Sequence, residues 1–373
     1  MEMCPLAKVR HRIKLGSPLP FSIRDPGNRL LVARDQVVAD EHEFAALVDR
    51  GACVNLDEMR GLRAEVYDAA PEALPALWHK LGDQLARVLR GMPSPQAPQA
   101  LDEAARYLAA LAERAPDLAL FVVLRRDPIE PLQYGVMRCL QAATAAHLVA
   151  LRLEWPSTRC LTLVKAAFTM NLGMLELQER LSNQARLPNP AQRQAIAAHP
   201  VTSAATLRDS GVADEEWLQA VAQHHERPGG NGYPAGVDTV GELANALRTV
   251  DLYTAKLAGR SGRDPQPPDR AARDLLVAER GNPFALALVT EFGLWPPGSL
   301  VRLHSGEVAV VVRRGTDAGA PMVAVLSDAR GQALHAPIQR EACGREHGIA
   351  GGAHDRTSRL RVNAERLYAS AGV

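Results

Sequence analysis

The spacing of apolar positions changes character twice along the chain. From about Ala73 to Thr290 apolar residues recur at helical intervals, beginning with Leu74, Leu77, Leu81, Leu85, Val88 and Leu89 on one face. Met92-Pro93-Ser94-Pro95-Gln96-Ala97-Pro98 interrupts that stripe as a linker. Further helices are predicted over 100–114, 130–153, 157–181, 190–199, 214–225, 241–258 and 283–292, with the breaker 261–268 as an exposed loop. Before this body, Leu19-Pro20-Phe21-Ser22-Ile23 and Arg29-Leu30-Leu31-Val32 flank Asp25-Pro26-Gly27-Asn28, a turn between two strands. A short helix over Glu41–Asp49 stops at Gly51. Past Trp295-Pro296-Pro297-Gly298 the runs become β-branched, predicting strands at Leu300–Leu303, Val308–Val312 and Met322–Leu326. The end is polar and Gly-rich, with a final helix expected at Val362–Ala369.

The pattern predicts a mainly α protein with a small β-rich unit before the helices and a small β-extension after them. The expected divisions are a β module at 1–60, a helical bundle and linker region at 73–129, a helical domain at 130–293, a β-extension at 294–342 and a polar tail at 343–373. The N-terminal module reads as a packing or docking unit.

Charge excludes one class of partner. Lys and Arg number 43 against 42 Asp and Glu, so no field for a nucleic acid polymer is expected. The five cysteines are scattered without a Cys-x-x-Cys pair, as in reduced cytoplasmic proteins. With no apolar core of a signal peptide and no apolar run of about 18 residues, neither a leader nor a membrane span is expected, and the expected location is the cytoplasm.

The chemistry concentrates in Gln223-His224-His225-Glu226-Arg227-Pro228-Gly229-Gly230-Asn231-Gly232-Tyr233-Pro234. Paired imidazoles at the end of a helical run suit metal ligation, because neutral imidazole nitrogen is a common ligand for divalent ions. The glycines let backbone and the Tyr233 ring come close to a ligand. The stretch resembles the signature of the HD-GYP family, metal-dependent phosphodiesterases of bacterial cyclic di-GMP signalling. The family motif reads His-His-Glu-Arg-x-Asp-Gly-x-Gly-Tyr-Pro, and here Gly229 stands at the Asp position.

The resemblance covers roughly residues 130–312 and implies a helical phosphohydrolase-like domain whose ligands come from several helices. His199, His224, His225 and Asp251 match family metal ligands. Other positions depart. The family phrase Ala-Ala-Leu-Leu-His-Asp-Ile-Gly-Lys is here Ala166-Ala167-Phe168-Thr169-Met170-Asn171-Leu172-Gly173-Met174. Met170 replaces the histidine, Asn171 the bridging aspartate and Met174 the lysine, while an upstream family histidine falls on Arg138. His147 lies nearby, but reaching it needs a gap inside a continuous helix, so it reads as a surface or packing residue.

A two-metal hydrolase needs a bridging carboxylate to hold its cations about 3.5–4 Å apart. Asn171 brings no charge and Met170 is a soft, poor ligand. A degenerate active site is therefore expected, retaining at most one divalent ion (Fe, Mn or Zn) on His199, His224 and His225. The plain alternative has the three histidines packed and hydrogen-bonded to Glu226 or to backbone carbonyls. Asp251 follows the apolar stripe Leu243, Leu247, Val250, and Arg138 is expected to neutralise it in place of a lost metal. Arg227, Gly230, Gly232, Tyr233, Pro234, Arg260 and Arg263 are the expected nucleotide or partner contacts, the arginines for phosphate and base faces. The plain reading of those arginines is solvated surface charge.

Three functions compete at this stage. One is a non-hydrolytic signalling protein that binds cyclic di-GMP or a partner such as a diguanylate cyclase through the Gly-Tyr-Pro loop. Another is a weak phosphodiesterase with one metal on His199, His224 and His225 and with Glu226 or a metal-bound hydroxide as base. The last is an inert helical scaffold.

Overall fold

The computed structural model describes residues 3–13, 15–16, 19, 21–34, 36–55, 61–125, 133–259, 261, 264–315, 320–353 and 367. Contacts divide the chain into two compact units, Met1–Ala69 and Ala70–Val373. The first unit therefore runs past the expected 1–60 and takes in helix α2 (Gly61–Asp68).

In the first unit an antiparallel sheet has the order β1-β4-β2-β3, with β1 Met3–Pro5, β2 Ile23–Arg24, β3 Leu30–Val32 and β4 Cys53–Asn55. The predicted turn joins β2 to β3. Asn28 takes a positive φ of 67°, and the Asp25 carboxylate accepts the Arg29 N–H at 2.8 Å. Helix α1 (Glu41–Asp49) starts where the Asp40 carboxylate caps the Glu43 N–H at 2.9 Å and gives way to Gly51 at φ 70°. Leu6, Phe21, Ile23, Val38, Phe44 and Val54 form the core. Strands β1 and β4 escaped prediction because each is only three residues long, too short for alternation to register.

The second unit is mostly helical. Helices α3 (Leu74–Arg90) and α4 (Ala97–Arg114) follow the predicted stripe, Leu74, Trp78, Leu81, Leu85 and Leu89 being buried. Helix α5 (Pro116–Leu124) was not anticipated, because it is apolar on every side and shows no 3.6-residue period. The central helix α6 (Tyr134–Arg152) is buried on nearly every face and packs against α5, α7 (Ser157–Thr169), α8 (Leu175–Asn183), α11 (Glu242–Leu257) and α13 (Pro283–Phe292). Its run Ala142-Ala143-Thr144-Ala145-Ala146 offers little bulk, which lets neighbours close in on all sides.

Two helices differ from the periodicity reading. The segment predicted as one helix over 157–181 is two, α7 and α8, joined by a 3₁₀ turn at Leu172–Met174. Among the described residues Ser157–Asn183 is also the stretch long and apolar enough to cross a membrane by length and composition. It is broken by the 3₁₀ turn, and 61% of its most apolar window is buried inside the protein. Helix α9 continues through Pro200, spanning Pro190–Asp209 instead of ending at 199. Helices α10 (Glu215–Gln223) and α11 lie where expected. Helix α12 (Pro268–Ala278) was missed although Pro268 opens it at a position where proline is tolerated.

The unit ends in a five-stranded antiparallel sheet of order β8-β7-β6-β5-β9. The expected strands are β5 Leu300–Leu303, β6 Val308–Arg313 and β7 Met322–Ser327. Two more join them, β8 Ala333–Glu341 and, after the one-turn helix α14 (Gly344–His347), β9 Ile349–Gly352. The supposed polar tail from 343 thus supplies a strand that pairs with β5. Strand β8 is an edge strand and mostly exposed, so its sequence lacks the apolar run that marked its neighbours. The helix expected at Val362–Ala369 lies outside the described residues, apart from Leu367.

Candidate metal centre

Helix α9 delivers His199, and a proline explains how. Pro200 has no N–H, so the Ile196 carbonyl four residues earlier loses its helical donor. The His199 ring fills the gap, its Nδ1–H donating to the Ile196 carbonyl at 2.6 Å. The same arrangement recurs where α10 ends. His224 caps that helix, and its Nδ1–H donates to the Val221 carbonyl at 2.7 Å, among the last carbonyls that a helix leaves without helical donors. In both cases a broken helical ladder supplies the acceptor that orients an imidazole.

A carbonyl oxygen can only accept, so each Nδ1 carries the proton and each Nε2 of the neutral ring is left with a lone pair. The two Nε2 atoms face one another at 3.1 Å. Both rings are fully buried. Burial lowers the pKa of His199 to about 4, with His224 adding to the effect, and burial with His225 nearby lowers His224 to about 3. His225 falls to about 3, first by burial, then by His199, Arg248 and Arg227. Two lone pairs pressed together in a dry site repel unless a cation sits between them.

His225 completes the group. One ligand atom from each of His199, His224 and His225 lies within 4.8 Å of the others, and no other group of three or more His, Cys, Asp or Glu with this spacing occurs among the described residues. The donor set fits a single zinc-like or iron-like ion. Its members are neutral nitrogens, the tautomers of His199 and His224 are fixed by outer hydrogen bonds, and the 3.1 Å separation can be spanned by two metal–nitrogen legs of about 2.0–2.1 Å.

Asp251, expected as a fourth ligand, is not in that group. Its carboxylate is held by Arg138, Nη2 to Oδ1 at 2.7 Å, with side chains only 3% and 14% exposed. Arg138 also donates to the Asp251 carbonyl at 3.3 Å and to Gln141 Oε1 at 3.2 Å. The expected neutralising pair is therefore present. Arg248, one turn earlier on α11, was overlooked. It forms a buried ion pair with Glu279 that is supported by Asn245 and Asn282. The signal available was a charge three residues before Asp251 within an apolar stripe.

The turn after α7 docks directly on the helix of His199. The Ser203 hydroxyl accepts the Gly173 N–H at 2.9 Å and donates to the Met170 carbonyl at 3.0 Å. A Cβ on Gly173 would lie 2.8 Å from Thr202 Cβ and 2.9 Å from the His199 carbonyl, so only glycine allows this approach. Met170 and Asn171 are buried and Met174 is half-buried. His147 lies outside the histidine group, buried in α6 with its Nε2 3.7 Å from Glu113, and burial lowers its pKa to about 4.

Glu226 corrects an expectation. It is fully buried, and its carboxylate accepts N–H groups of Ala235 at 2.7 Å, Gly236 at 3.1 Å and Val237 at 3.2 Å. Both oxygens face the returning loop, so the residue fastens that loop and is not disposed as a general base or a partner for the histidines. Gly232 passes so close that a Cβ there would sit 2.3 Å from Glu226 Cα, and Gly230 needs its positive φ of 74°. The half-buried Tyr233 stacks on His225, ring centroids 4.6 Å apart, which covers one face of the ring. Burial, then Asp251, raises its phenol above the usual range. Arg227 and Pro234 are exposed on the loop. Arg260 and Arg263 lie outside the described residues.

Residues 125–284 match the model of the HD domain family. The chain is 25% identical over 252 residues to the cyclic di-GMP phosphodiesterase PA4108 of Pseudomonas aeruginosa, an alignment covering 66% of this chain and 59% of that protein. Bd1817, an HDG"Y"P protein from Bdellovibrio bacteriovorus, superposes with a TM-score of 0.49 at 14% identity, covering 77% of this chain and 97% of the other. The HD-domain match includes all three clustered histidines and the Gly-Tyr-Pro loop, so this part of the chain is similar to an HD domain of the HD-GYP type.

Proposed function

We propose that the protein works in cyclic di-GMP signalling as a degenerate HD-GYP member that binds without hydrolysing. The observation that carries this reading is the Arg138–Asp251 pair. A carboxylate suited to a second cation is taken up by a guanidinium, and Asn171 brings no charge at the position where the family has its bridging acid. Two dications close together need bridging negative charge, and an activated hydroxide between them needs both.

The ligand is cyclic di-GMP or a protein of the same pathway such as a diguanylate cyclase. The loop after His225 supports this reading, since Glu226 holds it in one shape while Arg227 and Pro234 stay exposed. Arg227 suits phosphate. The three histidines would hold one divalent ion, which when bound supplies positive charge for an anionic group; His199 and His224 are oriented for it by their carbonyl partners.

A second reading, slow hydrolysis with one ion, is favoured by the facing Nε2 lone pairs, which provide a metal site whether or not a second is present. Glu226 does not serve it as base, because its oxygens are spent on the loop. Calorimetric titration of the iron- or manganese-loaded protein with cyclic di-GMP, alongside chromatography for linear product, decides between them. Binding without product is expected. Turnover that disappears in His225→Ala would overturn the non-hydrolytic reading.

A further inference from the structure

Helix α13 is apolar nearly all round, and a helix of that kind belongs in an interior. Phe284, Ala285, Leu288 and Phe292 do turn inward. Its other face, Pro283, Leu286 and Thr290, stands in solvent without a charge, and Leu286 is 62% exposed. Helix α12, joined to it through residues 279–282, repeats the pattern. Ala271, Ala272 and Leu275 are buried, while Leu276 and Val277 face outward, Val277 at 73%. Among the described residues the second unit exposes eight large apolar side chains, and four of them are Leu276, Val277, Leu286 and Leu294, on this hairpin and its exit. Single exposures are ordinary, but a cluster on two packed helices marks a surface that another body covers.

The charge around the patch indicates which body. Its carboxylates are engaged: Asp269 by Arg273, Asp274 by Lys256 and Gln266, Glu279 by Arg248, and Glu291 by Arg314 and Arg152. Arg270, Arg273 and Arg280 stay exposed. Spacings of three and four residues put Arg270, Arg273 and Val277 on one side of α12, with Arg280 just past its end. We infer that the α12–α13 hairpin is a docking surface for an acidic amphipathic helix of a partner protein. Apolar side chains of that helix pack on Leu276, Val277 and Leu286, and carboxylates on its flank meet the three arginines. Two packed helices form a groove that accepts the ridge of a third. A second copy would bring the same arginines, so a two-fold contact would set like charges together. A bilayer is disfavoured because the inner apolar side of α12, which an interfacial helix would insert, is buried in the protein. The surface serves whether or not the histidines hold an ion.

The test is fluorescence anisotropy of the full chain with a labelled synthetic peptide of about five helical turns, leucines at i, i+3, i+4 and i+7 and glutamates beside them. The same peptide with lysine for glutamate is the control. The glutamate peptide is expected to bind about tenfold or more tightly than the control, to weaken as salt rises, and to slow hydrogen exchange in α12 and α13. Leu286→Asp and Arg280→Glu, both at exposed positions, are each expected to weaken it about tenfold. Circular dichroism establishes folding of both variants. Equal binding of the two peptides, or wild-type affinity in either folded variant, overturns the inference. Sedimentation of the chain alone and flotation with phosphatidylserine–phosphatidylcholine vesicles examine the other occupants. A dimer that dissolves in Leu286→Asp assigns the face to a second copy and overturns the inference. Vesicle binding lost in Leu286→Asp, with no peptide binding, assigns it to lipid and overturns it too. Should Leu286→Asp fail to fold, Arg280→Glu decides alone, since it lies beyond the end of α12.

Discussion

The Nε2 atoms of His199 and His224 face each other at 3.1 Å while both Nδ1–H groups are engaged with main-chain carbonyls. The rings are thus presented lone pair to lone pair, and the backbone sets that presentation.

Pro200→Ala tests the backbone part. Alanine returns an N–H that competes for the Ile196 carbonyl and frees the His199 ring. Proline inside a helix costs about 3 kcal/mol, so an equal or higher Tm is expected. Zinc affinity is expected to fall about tenfold, as for loss of an outer hydrogen bond to a ligating histidine. Unchanged affinity with a normal fold would dismiss the role given to Pro200.

Glu226→Gln tests the loop fastening. The substitution replaces a carboxylate that accepts several N–H groups with an amide able to accept through one oxygen only. Hydrogen bonds to a charged acceptor are worth about 1.5–3 kcal/mol, and a loss of that order is expected in local stability. Hydrogen exchange at Ala235, Gly236 and Val237 should quicken while exchange in α6 stays slow.

Gly232→Ala should be worse tolerated than a change at the exposed Asn231. The added methyl meets Glu226 Cα at 2.3 Å and the Arg227 nitrogen at 2.4 Å, both backbone atoms with no rotamer to yield. Overpacking costs typically about 1–3 kcal/mol, and the expected signs are a lower Tm and weakened zinc binding because His225 is displaced. A variant indistinguishable from wild type in both would refute the close approach.

His147 gives a pH dependence of definite sign. Burial lowers its pKa from 6.5 to about 4 in the folded chain. Between those values the unfolded chain binds the extra proton, so stability present above pH 6.5 is lost as pH falls toward 4. The shift corresponds to about 3 kcal/mol at most. The clustered histidines act in the same direction, so the measurement is a comparison of urea unfolding for wild type and His147→Leu at pH 7 and pH 5. The variant should lose less stability on acidification.

Much of this was visible in the residues. The histidine pair, the glycine loop and the helical stripes carry local signals, and the Arg138–Asp251 contact followed from asking what could neutralise a buried acid. What escaped depended on chain folding back on itself. Glu226 reads as a candidate base until the loop returns its N–H groups nine to eleven residues later. Pro200 reads as a helix end, yet α9 passes through it because a side chain takes the orphaned carbonyl. Helix α5 has no polar face to give it a period, and β8 has too little apolar surface to resemble a strand.

His225 and Glu226 are adjacent in the chain, and one belongs to the histidine cluster while the other grips the loop. Were the cluster to hold an ion, a molecule that draws the loop into a new shape would pull on a peptide unit shared with the ion's coordination. By thermodynamic reciprocity, occupancy of the cluster would in that case bias which loop shape a visitor meets. A cell's supply of transition metal would then be felt at the outer surface of the protein, with no domain movement needed to carry the message.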